Sequence, residues 1–317
     1  MRYCDKALFI VRTPFQAWFC ERLIERLGIG CYDFLYITHN NSKEDVFYYN
    51  SLSSGARNSR YVFVKPALFD VFTNLKLVYR VRGWFSKDRY DCVYMASINS
   101  YIINSLACSF HDAELFSFDD GAANLVEDGP YYISDSSFRS WFYNAIFRAQ
   151  PVEKVRKKIS RHYTIYRGFN NIVEEERLSY LDGWAPNRRR NVDYSQVDKS
   201  KRYFIGAPFH EVMSKAEIDS MLRLLGDVRI DGYIRHPREI QPLSIDAPII
   251  DKGGRIAEDV IIDCSGGCPV QLYGYLSTVM INLKDYAEKK VVFVSEGSVN
   301  SRLSELALES GCEIVYV

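Results

Sequence analysis

The chain has 317 residues, with 40 Lys and Arg against 40 Asp and Glu, and it is 47% hydrophobic and 25% charged. That length accommodates about two globular domains, the composition excludes wholesale disorder, and the zero net charge speaks against a bulk nucleic-acid binder, whose domain should be clearly basic. The unusual figure is 15% aromatic, with 23 Tyr and 19 Phe, a surface that serves sugars, bases, interfaces or large cores.

In chain order, the N-terminal apolar run at 7–11 is too short for a signal peptide and lacks a small-residue cleavage site. No later stretch approaches the roughly 20 apolar residues of a membrane span. Of eight scattered cysteines only Cys264 and Cys268 are close, with no second pair and no His at zinc spacing. A cytoplasmic chain with free thiols is expected. A buried strand is expected at 7–12. A helix follows at 15–27, with Phe15, Phe19, Leu23 and Leu27 on one face and Gly28 as its stop. Further strands are expected at 34–39, 61–65, 91–96 and 114–121. Strands alternating with helices indicate βαβ units and a parallel sheet.

The alternation is expected to pause at 138–190. Phe138, Trp141, Phe142, Ala145, Ile146 and Ala149 stand at helical spacing, a strongly basic run follows at 152–162, and the polar stretch 186–201 reads as an interdomain linker. The second half repeats the pattern, with strands expected at 202–208, 228–237, 247–251, 270–275, 290–296 and 313–317 and helices at 215–226 and 255–264. The fold class expected is α/β, with Rossmann-like domains at 1–185 and 202–317.

The sequence contains no G-x-G-x-x-G after its first strand and no G-x-x-x-x-G-K-[ST], which removes the support for dinucleotide and P-loop readings. No two aspartates are separated by one residue, so the D-x-D that holds a metal on a nucleotide diphosphate is missing. Three sites stand out. Asp119, Asp120 and Gly121 end a strand, where open α/β sheets bind ligands; paired carboxylates there suit a general base, the alternative being a turn with a helix N-cap. His236, followed by Pro237 and Arg238, suits an anion, or is a solvated loop histidine. Ser277 and Thr278 stand between a strand and a helix start, where hydroxyls and N–H groups meet anions or simply cap the helix.

Together these segments resemble the family-52 bacterial sialyltransferases, which modify lipooligosaccharide and capsular sugars. Five stretches match in order: 94–125 ending in FDDG-x-x-N, HYTIYRGFNNIV at 162–173, FIGAP at 204–208, HPR at 236–238 and LST at 276–278. The resemblance implies an inverting, metal-independent enzyme of the GT-B type, with parallel sheets facing a central cleft. CMP-sialic acid would be the donor and a glycan the acceptor. His236 is then the general acid or phosphate clamp, with Arg238, Ser277, Thr278, Gly206 and Pro208 on the donor side. Glu258 is assigned to the ribose hydroxyls, its alternative being a helix-surface carboxylate. Thr13 and Gln16 match the family's T-x-x-Q and either line the cleft from the acceptor side, with Asp119 and Gly121, or serve only local loop hydrogen bonding. Family-52 relatives carry an acidic residue straight after the loop proline. Here Phe209 stands there, followed by His210 and Glu211, so Asp120, His210 and Glu211 all remain candidates for the general base.

Residues 138–161 combine an aromatic helical face with seven basic residues and one acid, a composition that suits the surface of an anionic membrane. An ordinary packed helix with a basic turn is the alternative. No cofactor, metal or nucleic acid is expected, and a homodimer is left open. Two other functions compete: a transferase using another nucleotide sugar, and a non-catalytic nucleotide- or glycan-binding protein.

Overall fold

The computed structural model describes residues 4–65, 71–85, 87–133, 137–184, 200–295 and 302–317. The chain divides into two compact units, Met1–Leu181 and Asp182–Val317. Each holds its own parallel sheet. The linker expected at 186–201 lies, as far as residue 199, outside the described residues, and Lys201 already opens a strand.

In the first unit the apolar pentapeptide β1 (Ala7–Val11) is buried at every position, as a parallel strand covered on both faces must be. On one side it pairs with β2 (Tyr32–Thr38), which pairs with β3 (Asn58–Phe63). On the other, β4 (Cys92–Met95), β5 (Glu114–Phe118), β6 (Ile159–Thr164) and β7 (Leu178–Tyr180) follow. The order is β3-β2-β1-β4-β5-β6-β7. Alternate residues go to opposite faces. Leu8, Ile10, Leu35, Ile37, Val93 and Met95 belong to an aliphatic cluster. Between them stand aromatic residues: Phe9 pairs with Tyr94 and Tyr94 with Phe116, their rings stacked at 4.6 and 4.9 Å between centroids. A substantial share of the aromatic excess is therefore core packing.

The first helix, α1 (Pro14–Leu27), has Thr13 as its N-cap, Pro14 at its start and Gly28 in the left-handed conformation at its end. The helices α2 (Lys43–Gly55), α3 (Val71–Phe85), α4 (Tyr101–Ala107), α5 (Phe138–Phe147) and α6 (Val152–Lys158) complete the unit. The alternation does not pause where expected. The basic run 152–162 is helical only to Lys158 and then becomes β6, and β7 follows. The strand escaped hydropathy because two of its buried residues, His162 and Thr164, are polar and fully enclosed; their partners sit on other segments.

The second unit carries β8 (Lys201–Ile205), β9 (Gly232–Ile234), β10 (Val270–Tyr275), β11 (Ala287–Val294) and β12 (Glu313–Tyr316) in the order β12-β11-β10-β8-β9. Its helices are α7 (Phe209–Val212), α8 (Lys215–Leu225), α9 (Ala257–Ser265), α10 (Thr278–Asn282) and α11 (Arg302–Glu309). The strand expected at 228–237 is three residues long. The one expected at 247–251 is only a bridge from Ile249 to Tyr233, because Pro248 has no N–H and offers its carbonyl alone. No described helix is long and apolar enough to cross a membrane.

Candidate active site

Both sheets reverse direction of growth beside their first strand, between β1 and β4 and between β8 and β10. Open α/β sheets bind ligands outside the C-terminal strand ends at such a point. Every strand-end residue singled out in the sequence lies on one of these two edges.

In the first unit the paired aspartates part ways. Asp119, expected on the cleft, is fully buried. Its carboxylate accepts from His162 Nε2 at 3.1 Å and from the Ile165 N–H at 2.8 Å. Because the Asp119 carboxylate accepts, Nε2 carries the proton of the neutral ring, and Nδ1 then accepts from the Ser117 hydroxyl at 2.8 Å. Burial pushes the Asp119 carboxyl above its ordinary range, opposed by these bonds. It braces β5 against the chain that leaves β6. Asp120 is only partly buried. Its carboxylate accepts from Gln16 Nε2 at 2.5 Å, from Ser97 Oγ at 2.7 Å and from the Tyr131 hydroxyl. Asn124 Oδ1 takes the Asp120 N–H at 2.9 Å. Gly121 follows in the left-handed region at φ +60° and lets the chain turn at once.

Thr13 and Gln16 both make local hydrogen bonds at the start of α1. Thr13 caps α1, its hydroxyl taking the Gln16 N–H at 3.3 Å. Gln16 is fully buried and stands behind Asp120, its Oε1 holding the Arg12 N–H at 2.7 Å. Ser97 and Tyr131 were missed. Ser97 ends β4 directly across the switch point and adopts φ +49°. A non-glycine residue there costs about 1–3 kcal/mol of backbone strain. Applying the strand-end rule to β4 would have found it. The cation of Arg12 acts electrostatically on both Tyr131 and His39, whose imidazole is pushed below its ordinary range mainly by burial.

In the second unit Gly206 ends β8, His236 follows β9, and Ser277 and Thr278 follow β10. A Cβ on Gly206 would stand 2.9 Å from the His236 nitrogen and 2.7 Å from Glu239 Oε2. Only glycine allows this loop to approach the histidine so closely. The Arg238 N–H donates to His236 Nδ1 at 3.1 Å, which puts the ring proton of the neutral imidazole on Nε2. Arg238 pairs with Glu211 at 2.8 Å, and His210 stands 3.7 Å from the same carboxylate. Pro208 precedes α7, which carries both. The Ser277 hydroxyl is sealed from solvent and has no hydrogen-bond partner among the described residues.

Glu258 is buried rather than on a helix surface. It stands in the first turn of α9 and accepts from Asn282 Nδ2 at 2.7 Å. Burial pushes its carboxyl up to about 7, against the pull of Asn282. Asn282 closes α10, so this bond ties Glu258 to the short helix that Ser277 precedes. Glu239, also missed, is buried with its Oε1 bonded to the Tyr233 hydroxyl and its carboxyl raised by that burial. Neither partnership, across 24 residues for Glu258 and six for Glu239, leaves a sequence signal.

The model of glycosyltransferase family 52 matches residues 32–296. A CMP-N-acetylneuraminate:beta-galactoside alpha-2,3-sialyltransferase of Pasteurella multocida is 27% identical over 290 residues, covering 89% of this chain and 88% of that one. An N-acetyllactosaminide alpha-2,3-sialyltransferase of Haemophilus influenzae is 26% identical over 226 residues, 70% of each chain. Among solved structures, the glycosyltransferase SnogD from Streptomyces nogalater aligns with a TM-score of 0.53 at 11% identity, over 99% of this chain and 87% of that one. LpCGTa in complex with UDP aligns at 0.55 and 8%, over 98% and 85%. At such identities the structural likeness shows the fold alone, which is of the GT-B type.

Proposed function

We propose the following reaction for this chain, which belongs to glycosyltransferase family 52: transfer of sialic acid from CMP-sialic acid to a galactoside-type terminal sugar of a lipooligosaccharide or capsular glycan. The transfer inverts the anomeric centre and uses no metal. The observation that carries it is the Ser277 hydroxyl, without a hydrogen-bond partner among the described residues, at the switch point of the second sheet and on the strand-end edge that also holds His236. A buried hydroxyl without a partner is costly, and a phosphate oxygen satisfies it. Relatives named as sialyltransferases support the donor. The missing D-x-D supports a metal-free route, since a monophosphate leaving group carries less charge than a diphosphate.

The acceptor hydroxyl oxygen attacks the anomeric carbon, and the bond to the CMP phosphate oxygen breaks with its electron pair passing to the phosphate. His236 Nε2–H, with Ser277 and Thr278, stabilises that oxygen. Glu258, held by Asn282, takes the ribose hydroxyls. The acceptor's proton passes to Asp120. Asp120 is oriented by three neutral donors and has no cation paired with it among the described residues, whereas Glu211 is ion-paired with Arg238, which favours the aspartate as base.

Calorimetry with CMP and UDP, followed by an assay of CMP release from CMP-sialic acid with a lactoside, tests this reading. CMP binding and acceptor-dependent release are expected. Preference for UDP would indicate another nucleotide sugar, and CMP binding without release under any acceptor would indicate a binding protein.

The reading extends to a peripheral contact with the cytoplasmic face of an anionic membrane. The stretch 138–161 is not one amphipathic helix but α5, α6 and the start of β6. The support lies on α5, where Phe138, Trp141 and Phe142 are 78%, 62% and 42% exposed, an apolar patch that calls for a partner. Arg148, Lys154, Lys157 and Lys158 are exposed in the same stretch. Arg156 and Arg161 are instead bonded to Ile172 and Ser179.

A further inference from the structure

A second concavity of the first unit, of about 490 Å³, is lined by none of the residues assigned above. Its loop, 168–171, belongs to the stretch 162–173 that the sequence singled out and that the reaction leaves without a role. Three aromatic rings line it, those of Tyr132, Phe169 and Tyr180. Three carboxylates stand with them. Glu127 accepts from Asn170 at 2.9 Å, Glu174 pairs with Arg177, and Glu175 has no side-chain partner among the described residues. The cations around the lining are already engaged: Arg156 donates its Nε to the Ile172 carbonyl at 2.5 Å and covers one face of Tyr132 at 4.6 Å, Arg167 covers one face of Tyr180 at 4.7 Å, and Arg177 pairs with Glu174, which leaves the other faces of the two tyrosines and the Phe169 ring.

This lining has a definite preference. Aromatic rings pack against the C–H faces of a sugar ring, and carboxylate and amide oxygens accept its hydroxyl protons. Phosphate, nucleotide and carboxylated sugars meet like charge instead. A chain of hydrogen bonds connects the cavity wall to the acceptor-side carboxylate. Tyr132 donates its hydroxyl to the Asn124 carbonyl at 2.8 Å, the Asn124 side chain holds the Asp120 N–H, and neighbouring Tyr131 bonds the Asp120 carboxylate. One turn, Ala123–Leu125, thus links the cavity wall to Asp120.

We propose that this cavity is a carbohydrate subsite for uncharged inner sugars of the acceptor glycan, behind the terminal sugar that reacts. The proposal rests on the reading of the chain as a transferase to a glycan.

The test compares lactose, the neutral tetrasaccharide lacto-N-neotetraose and a hyaluronan tetrasaccharide, using the full chain. Saturation-transfer NMR without donor should show contact to the inner sugars of the neutral tetrasaccharide and none to hyaluronan. Its KM should lie at least about fivefold below that of lactose, and Phe169→Ala or Glu175→Gln should shrink this advantage to less than about twofold, with kcat little moved. Should Phe169→Ala fail to fold, the exposed Glu175→Gln carries the test. Equal KM values in the parent chain, or an advantage that survives both substitutions, would overturn the subsite. The NMR arm needs no turnover. Inner-sugar contact without CMP release counts against the sialyltransferase reading alone, and release without inner-sugar contact counts against the subsite alone.

Discussion

Asp119 and Asp120 are adjacent, yet one is a brace and the other a candidate base, because successive residues leaving a strand point to opposite sides. The sequence offered both as cleft carboxylates, and nothing in the pair itself says which turns inward; His162, 43 residues away, decides it. Asp120→Asn is expected to lower kcat/KM by about 10²–10⁴-fold, with His210→Ala and Glu211→Gln as the comparisons that separate the three candidate bases. Tyr131→Phe and Ser97→Ala each remove one of the three donors that orient this carboxylate, so each is expected to lower kcat with KM little moved, less than Asp120→Asn does; an unchanged kcat in both would count against that positioning. Glu258 gives a second prediction at this scale. Its folded carboxyl titrates at about 7 against an ordinary 4.5, so the folded state holds the proton between these values. The stability that the group contributes is fully present below pH 4.5 and is lost as pH rises through 7, a change of about 3 kcal/mol. Urea unfolding of the parent chain and Glu258→Gln from pH 4.5 to 8 should show this fall in the parent only; parallel curves would count against a buried, high-pKa carboxyl.

At the scale of elements, apolar runs marked the buried parallel strands well, because a strand covered on both faces has no polar side to interrupt it. That rule located β1, β2, β4, β5, β10 and β11 to within a few residues. It failed for β6, whose buried His162 and Thr164 are paired across the fold, and for 247–251, where Pro248 leaves an edge pairing too poor to make a strand. Helix α5 shows the same limit from the other side. Its spacing was legible, but only packing shows that Ser140 and Phe147 face inward and that Phe138, Trp141 and Phe142 do not. Flotation with anionic liposomes at low salt should carry the protein up, and Phe138→Ser with Trp141→Ser should abolish it. Each exposed basic residue near the surface contributes about 1 kcal/mol and screens with salt, so raising the ionic strength should weaken the binding. Failure of the parent chain to float would remove the membrane contact.

At the scale of the whole molecule, two parallel sheets of different strand order each place their polar strand-end residues at a switch point. The donor residues all belong to the second unit and Asp120 to the first. CMP should therefore slow amide exchange at 204–211, 234–239 and 275–282, the loops that follow β8, β9 and β10, by an amount that grows with its saturation. Protection confined to the first unit would place the nucleotide on the wrong sheet.

The sequence by itself determined the α/β class, the two-part organisation and the strand-end motifs, since these rest on local apolar runs, glycine turns and short-range spacing. The tertiary structure alone decided which polar residues are partners. Gln16, Ser97 and Tyr131 converge on Asp120 and Asn282 on Glu258, from positions 11 to 104 residues apart for the Asp120 group. A buried polar atom must find a partner, but which one depends on where the sheet brings distant strand ends together. The zero net charge is likewise only an average: it combines an acidic sugar-binding concavity with the exposed basic residues beside α5, a separation that exists only once the chain has folded.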